Sequence, residues 1–183
     1  MKKTIMLYAI VLLAVVAAAA QDEAKKSAKG GVETAELKNA QGESIGTATL
    51  TATVYVFRPQ ETKWRGKGVD IKLNLHNLPP VEHCIHIHRD PVCEGHDFKS
   101  AGGHMNPESK QHGLKNPEGP HAGDLPNITA DAKGNVKTTI TGQHVAMGQL
   151  EAGRALVLHA KADDMKTDPS GNSGDRIARG VIK

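Results

Sequence analysis

In residues 69–75, Val-Asp-Ile-Lys-Leu-Asn-Leu, every second side chain is apolar. Successive side chains of a β-strand point to opposite faces, so this run buries one face and wets the other. Residues 47–57 are rich in Thr, Val, Tyr and Phe, the residue types that suit a half-buried pleated surface. Pro, Lys, Arg and two glycines over 58–68 suit a hairpin between these two strands. Further strands are expected at 83–88, 135–141, 155–160 and 177–182. Since no stretch keeps a helical period, the fold class is all-β, a sandwich or barrel of short antiparallel strands. Aromatic residues make up only 3% of the chain, so Val, Ile, Leu and Ala must build the core.

The N-terminus has a different character. Lys2 and Lys3 precede an apolar run over 5–20 that ends in Ala18-Ala19-Ala20, the order of a secretory signal peptide with a small-residue cleavage site. The run is shorter than the roughly 20 residues a spanning helix needs, and it holds no cysteine for lipid attachment. Residues 1–20 therefore read as a signal peptide and 21–32 as a flexible polar leader, with a single domain over 33–183. The expected location is the periplasm or the outside of the cell. Removing 1–20 takes away two lysines and no acid, so the formal charge falls from +3 to +1. Such a body offers no electrostatic footprint for nucleic acid and, once the leader is gone, no membrane segment.

Residues 89–127 do not fit a self-sufficient core. They are rich in Gly, Pro, His and charge, and an excursion of that length without structure is uncommon in a compact domain. A second irregular stretch, 163–175, precedes the last strand. The chain has ten histidines, and their placement suggests what holds the first loop. On a strand, His86 and His88 leave the same face while Ile85 and Ile87 face the core. The loop adds His104, His112, His121 and Asp124, at intervals of eight, nine and three. Three imidazoles and one carboxylate suit Zn²⁺, which favours four N, O or S ligands in a tetrahedron. Binding there would replace the missing apolar core, because metal-binding energy becomes folding energy.

These residues resemble the copper/zinc superoxide dismutases. The resemblance runs over roughly 33–182 and is carried by HCIHIH (83–88), DFKSAGGHMNP (97–107), HG (112–113), GPHAGDLPNI (119–128), LVLHAKADD (156–164) and GNSGDRIARGVI (171–182). It implies a Greek-key β-barrel or immunoglobulin-like sandwich of about eight antiparallel strands, with two long functional loops. It implies copper held by His86, His88, His104 and His159, and zinc held by His104, His112, His121 and Asp124, with His104 bridging the two. Asp163 is then the carboxylate joining a copper histidine to a zinc histidine, and His83 a structural histidine bonded to loop backbone. Arg176 is the arginine that guides superoxide to copper, helped by lysines such as Lys161 and Lys166. The catalytic roles fall on Arg176 and on His104, which would help supply a proton for peroxide. His76, His96 and His144 match no ligand position and read as surface residues.

The chain departs from that pattern at its cysteines. The family places a cysteine in the final strand where this chain has Arg179, and Cys93 matches the other half of the family's disulfide. Cys84 stands where the family usually has glycine. Oxidation is the usual fate of cysteines in an exported chain, so a Cys84–Cys93 bridge is expected as a replacement. The rival readings are a copper/zinc-binding or storage protein on a dismutase-like fold with little catalysis, and a structural β-sandwich without metal. Neither composition nor motif decides between monomer and homodimer.

Overall fold

The computed structural model describes residues 31–54, 67–92, 95, 97–151 and 153–183. The expected signal peptide, nearly all of the expected leader, most of the expected 58–68 hairpin, Cys93 and His96 lie outside the described residues. Residues Val32–Lys183 form a compact unit. Its strands are β1 (Val32–Asn39), β2 (Ser44–Val54), β3 (Lys67–Leu75), β4 (Glu82–His83), β5 (Ile85–His88), β6 (Ile128–Thr129), β7 (Val136–Gly142), β8 (Arg154–His159) and β9 (Arg176–Ile182). Among the described residues the only helical segments are two three-residue 3₁₀ turns. The all-β expectation holds.

Seven strands form one antiparallel sheet in the order β5-β8-β9-β1-β2-β3-β7, and β4 pairs with β6 in a small second sheet. The strands at the two ends of the large sheet feed the same core. Ile85 and Ile87 of β5 share one buried cluster with Val136 and Ile140 of β7, and with Ala35, Leu50, Ile71, Leu156 and Ile182. A sheet whose two edges bury side chains in one cluster must curl upon itself, as right-handed strand twist favours. In β3 the alternation is complete: Val69, Ile71, Leu73 and Leu75 are buried while Lys72 and Asn74 are exposed. The β2–β3 pairing extends to Val54 opposite Lys67.

Two features were not read from the sequence. Strand β1 buries only Ala35 and Leu37 inside its length, so its alternation is faint. The expected 83–88 strand is two strands: β4 pairs with β6 and β5 with β8. The hand-over falls at Cys84, whose N–H donates to the carbonyl of Lys161 at 2.9 Å while its carbonyl accepts from the N–H of His159 at 2.9 Å.

Candidate metal centre

Strand β5 is an edge strand, and unpaired edge groups need partners. The 89–127 loop supplies them. Ile87 N–H donates to the carbonyl of Gly123 at 2.9 Å, and Met105 N–H donates to the carbonyl of Ile87 at 2.8 Å. Arg89 and Asp90 bond the backbone of Gly103 and Ala101 in the same way. These contacts fold the loop across the outer face of the sheet and bring His104 beside His88 as an isolated β-bridge. A polar loop is thus attached by its backbone, without an apolar core of its own.

Ile85 and Ile87 face the core, so His86 and His88 take the opposite face, and both are buried. On the neighbouring strand β8, Leu156 and Leu158 face the core and His159 the histidines. The β8–β9 register shifts between Leu158 and His159, which leaves His159 opposite Arg176. Bulges of this kind re-aim side chains beside functional sites. His86 and His104 have ring centroids 4.1 Å apart, and His88 and His104 4.9 Å. One donor atom from each of His86, His88, His104 and His159 lies within 4.8 Å of the others.

The ring nitrogens are sorted by their partners. His88 Nδ1 donates to the carbonyl of Gly102 at 2.9 Å, and His159 Nδ1 lies 3.1 Å from the Ser173 hydroxyl and 3.3 Å from the carbonyl of Gly174. The Nε2 atoms of both rings are buried without a partner. A buried, unbonded nitrogen carries a desolvation cost, and burial next to other imidazoles pushes His88 down to about 2 and His159 to about 3. Neutral imidazoles with free lone pairs aimed inward are the form that ligates a metal. His86 Nε2 donates to Asp163 Oδ2 at 2.9 Å, which leaves Nδ1 as its free donor atom.

A second set adjoins the first through His104. The Nδ1 atoms of His104, His112 and His121 lie 2.9, 3.0 and 3.3 Å from one oxygen, Asp124 Oδ1. The other oxygen, Oδ2, accepts the backbone N–H of Gly113 at 2.8 Å and of His121 at 3.0 Å. Burial works against the Asp124 charge, but the three histidines and the Gly113 amide outweigh it and hold the carboxyl well below its ordinary range. Burial likewise opposes a charge on His112, yet Asp124 and Asp163 raise it to about 9. His104 goes the other way, to about 4, because burial dominates its bond to Asp124. Three imidazoles and a carboxylate converging on one point fit a tetrahedral Zn²⁺ site.

Asp163 joins the two sets. Its Oδ2 accepts from His86 Nε2 at 2.9 Å, its Oδ1 from the Met165 N–H at 2.6 Å, and His112 Nε2 lies between the two oxygens, at 2.9 Å and 3.0 Å. Burial opposes its charge, yet the bonds from His112 and His86 hold it well below the usual carboxylate range. Gly171, at φ +63°, lies against Asp163 and His112 so closely that a Cβ would collide with both. Asn127 clamps the Asp163 backbone from both sides, bonding its N–H and its carbonyl at 3.0 Å each.

Arg176 donates through its two terminal nitrogens to the carbonyls of Phe98 at 2.7 Å and Gly102 at 2.8 Å. It is half-buried, and burial lowers its pKa from the ordinary arginine value. His83 is fully buried, with its ring nitrogens 2.9 Å from the carbonyls of His159 and Pro79. Lys161, Lys166, His76 and His144 are exposed. Sequence reasoning gave no role to Asn127, Ser173 or Phe98, nor to the Gly102 carbonyl. The first three sit inside recognisable motifs, which is the only signal they carry; a carbonyl has no residue signature at all.

The cysteine expectation needs correcting. Cys84 is a free, fully buried thiol, so the Cys84–Cys93 bridge is not made. Two residues before His86 on an extended chain, it shares the histidine face. Its Sγ lies 3.9 Å from His86 Nδ1, and burial pushes its pKa up to about 12.

Comparison with known proteins matches residues 51–182 to the family model of copper/zinc superoxide dismutases. A Cu-Zn superoxide dismutase of Aquifex aeolicus is 47% identical over 157 residues, covering 81% of this chain and 86% of that protein. A Cu-Zn superoxide dismutase of Caulobacter vibrioides is 38% identical, covering 82% of this chain and 84% of its own. Among solved structures, the Cu/Zn superoxide dismutase of Brucella abortus superposes with a TM-score of 0.65 at 29% identity, over 84% of this chain and 100% of the other. A dismutase-like protein of Bacillus subtilis superposes with a TM-score of 0.68 at 35% identity, over 82% and 97%.

Proposed function

The chain belongs to the copper/zinc superoxide dismutase family, and on that premise we propose which of its residues carry the reaction and where it works. Two superoxide anions and two protons become one dioxygen and one hydrogen peroxide. A bound copper would supply the one-electron redox chemistry this needs, and a bound zinc, which has none, would serve structure.

Copper is assigned to His86 through Nδ1 and to His88, His104 and His159 through Nε2; zinc is assigned to His104, His112, His121 and Asp124. The observation that carries this reading is the pair of donor sets meeting at one ring, with the Nε2 atoms of His88 and His159 buried and unbonded. His104 turns Nδ1 to Asp124, so its Nε2 is the atom that can ligate or hold a proton on the copper side. Asp163 fixes the tautomers of His86 and His112, since a ring nitrogen donating to a carboxylate must carry the proton. Arg176, held on two carbonyls, keeps a fixed positive charge opposite His159 and draws the anion inward, an attraction that salt weakens.

Export is supported by the 1–20 segment, whose charged start, apolar run and Ala-Ala-Ala end make a signal peptide. Mass spectrometry of protein recovered from outside the cytoplasm should find a chain starting at Gln21. The storage reading is separated from catalysis by metal analysis with a superoxide assay on the same sample. One copper and one zinc per chain with rapid turnover support the assignment; both metals bound without turnover would reject it.

A further inference from the structure

Arg179 stands in β9 where the resemblance led to a cysteine, and its surroundings show what it does instead. Its guanidinium carbon lies 5.0 Å from the centroid of the Phe98 ring, over the ring face. Phe98 is 1% exposed and is the largest fully buried side chain described. The ring belongs to the 89–127 loop, whereas Arg179 pairs with Val157 of β8 and Lys38 of β1 within the sheet. Nε of Arg179 is buried without a hydrogen-bond partner, so the cation is partly desolvated against the aromatic face, where a cation–π contact is strongest. Beside it, Ala101 of the same loop packs on Ala155 and Val157 of β8.

We propose that the Arg179–Phe98 stack is the tether of the metal loop, and that Arg179 thereby positions both Arg176 and His88. The link runs through backbone. Phe98 stands at φ +55°, a left-handed conformation uncommon for a bulky residue, at the head of the 3₁₀ turn Lys99–Ala101. The carbonyls of Phe98 and Gly102, at the two ends of that turn, are the acceptors for Arg176. The Gly102 carbonyl also accepts from His88 Nδ1. Ile177 packs against the core, and the irregular register beside it leaves Arg176 and Arg179 both reaching the loop. One arginine grips the ring and the other the carbonyls of a single turn. Releasing the ring frees the turn, and with it the fixed direction of the Arg176 charge and of the His88 imidazole.

The tether stands independently of the metal assignment, while its consequence for activity rests on the function proposed above. The test therefore reads the two separately on metal-loaded protein. Amide hydrogen exchange of residues 98–104 is followed in Arg179→Gln, Phe98→Leu and the double variant. Each single change should speed exchange of that turn roughly tenfold, the scale of a desolvated cation–π contact, and the double variant no further than either single. Arg179→Lys, which keeps a cation over the ring and guards against a misfolded glutamine variant, should show a smaller rise. With metal content matched, the ionic-strength dependence of superoxide turnover should flatten in Arg179→Gln, because Arg176 no longer holds its place. Wild-type exchange in Arg179→Gln, effects that multiply in the double variant, or a rise spread evenly over the barrel would each overturn the tether. Loosened exchange with an unchanged salt dependence would overturn the positioning of Arg176 alone.

Discussion

Replacing Asp163 by asparagine should cost copper more than zinc, and the geometry says why. The carboxylate has three donors around two oxygens: Met165 N–H meets Oδ1, His86 Nε2 meets Oδ2 at 2.9 Å, and His112 Nε2 reaches both, at 3.0 Å from Oδ1 and 2.9 Å from Oδ2. Asparagine keeps one oxygen and offers an NH₂ in place of the other. The Met165 amide is fixed by the chain, so the carbonyl stays on its side and still serves His112. The NH₂ then faces His86 Nε2, donor against donor. The ring escapes only by moving its proton to Nδ1, the atom assigned to copper. A lost charge-assisted hydrogen bond is worth about 1.5–3 kcal/mol, and removing a carboxylate that orients a ligand typically costs about 10–100-fold in affinity. Copper affinity should therefore fall about 10–100-fold and zinc affinity less than about tenfold. Competition against chelators of known affinity, with each metal quantified, measures both. Equal losses of the two metals, or a larger loss of zinc, would refute the tautomer argument.

Three further outcomes follow from the same structure. Arg176→Ala should lower turnover about tenfold or more at low ionic strength with metal content unchanged, and should flatten its salt dependence; stopped-flow decay of superoxide over a salt series reads both. Metal-free protein should be most stable near neutral pH. Burial holds His88, His159 and His104 at about 2, 3 and 4, so the unfolded chain binds protons first and stability falls as pH drops below about 6.5. His112 is raised to about 9, so its contribution is full below about 6.5 and fades as pH climbs through about 9. Urea midpoints of the chelated protein across this range would show a flat profile if the argument fails. In the core, Ile71→Ala should cost about 2–5 kcal/mol, as truncations of fully buried aliphatic residues do, while the metal-loaded site keeps its composition; denaturant unfolding with metal analysis checks both halves.

Most of the sheet was legible because its strands alternate, and alternation survives translation into burial. Where it is weak, legibility fails: β1 carries only Ala35 and Leu37 inward. The break at Cys84 is tertiary, set by an exchange of hydrogen-bonding partners from β6 to β8, and residue types say nothing of it. The site residues were legible through spacing and family likeness because ligands are side chains. What holds them is largely backbone, such as the carbonyls of Phe98 and Gly102, and backbone has no letter in the sequence. The cysteine expectation failed for a different reason. It counted two thiols in an exported chain and ignored the period of two, which already sets Cys84 on the face of His86 and His88.

That shared face explains how one sheet supports both a dry core and a polar site. On β5 and β8, alternate residues serve opposite sides: Ile85, Ile87, Leu156 and Leu158 enter the core, while His86, His88 and His159 enter the site. The histidines are therefore carried by strands that the core already fixes, while the loops set their ring directions, through Gly102 for His88 and through Ser173 and Gly174 for His159. The remaining zinc-set residues are the converse. His112, His121 and Asp124 sit on loop backbone with little apolar burial; Met105, Leu125 and Ile128 join the main cluster nearby, and Ala122 packs against it. Their order comes from mutual hydrogen bonds and from a carboxylate shared among three rings. Asp124 draws His104, His112 and His121 to one oxygen. That places a carboxylate charge among buried imidazoles, which a dication at the same centre would balance. On the proposed assignment, zinc would serve the folding of the loop and bridge toward the strands, while copper would meet three histidines carried on strands that the core fixes.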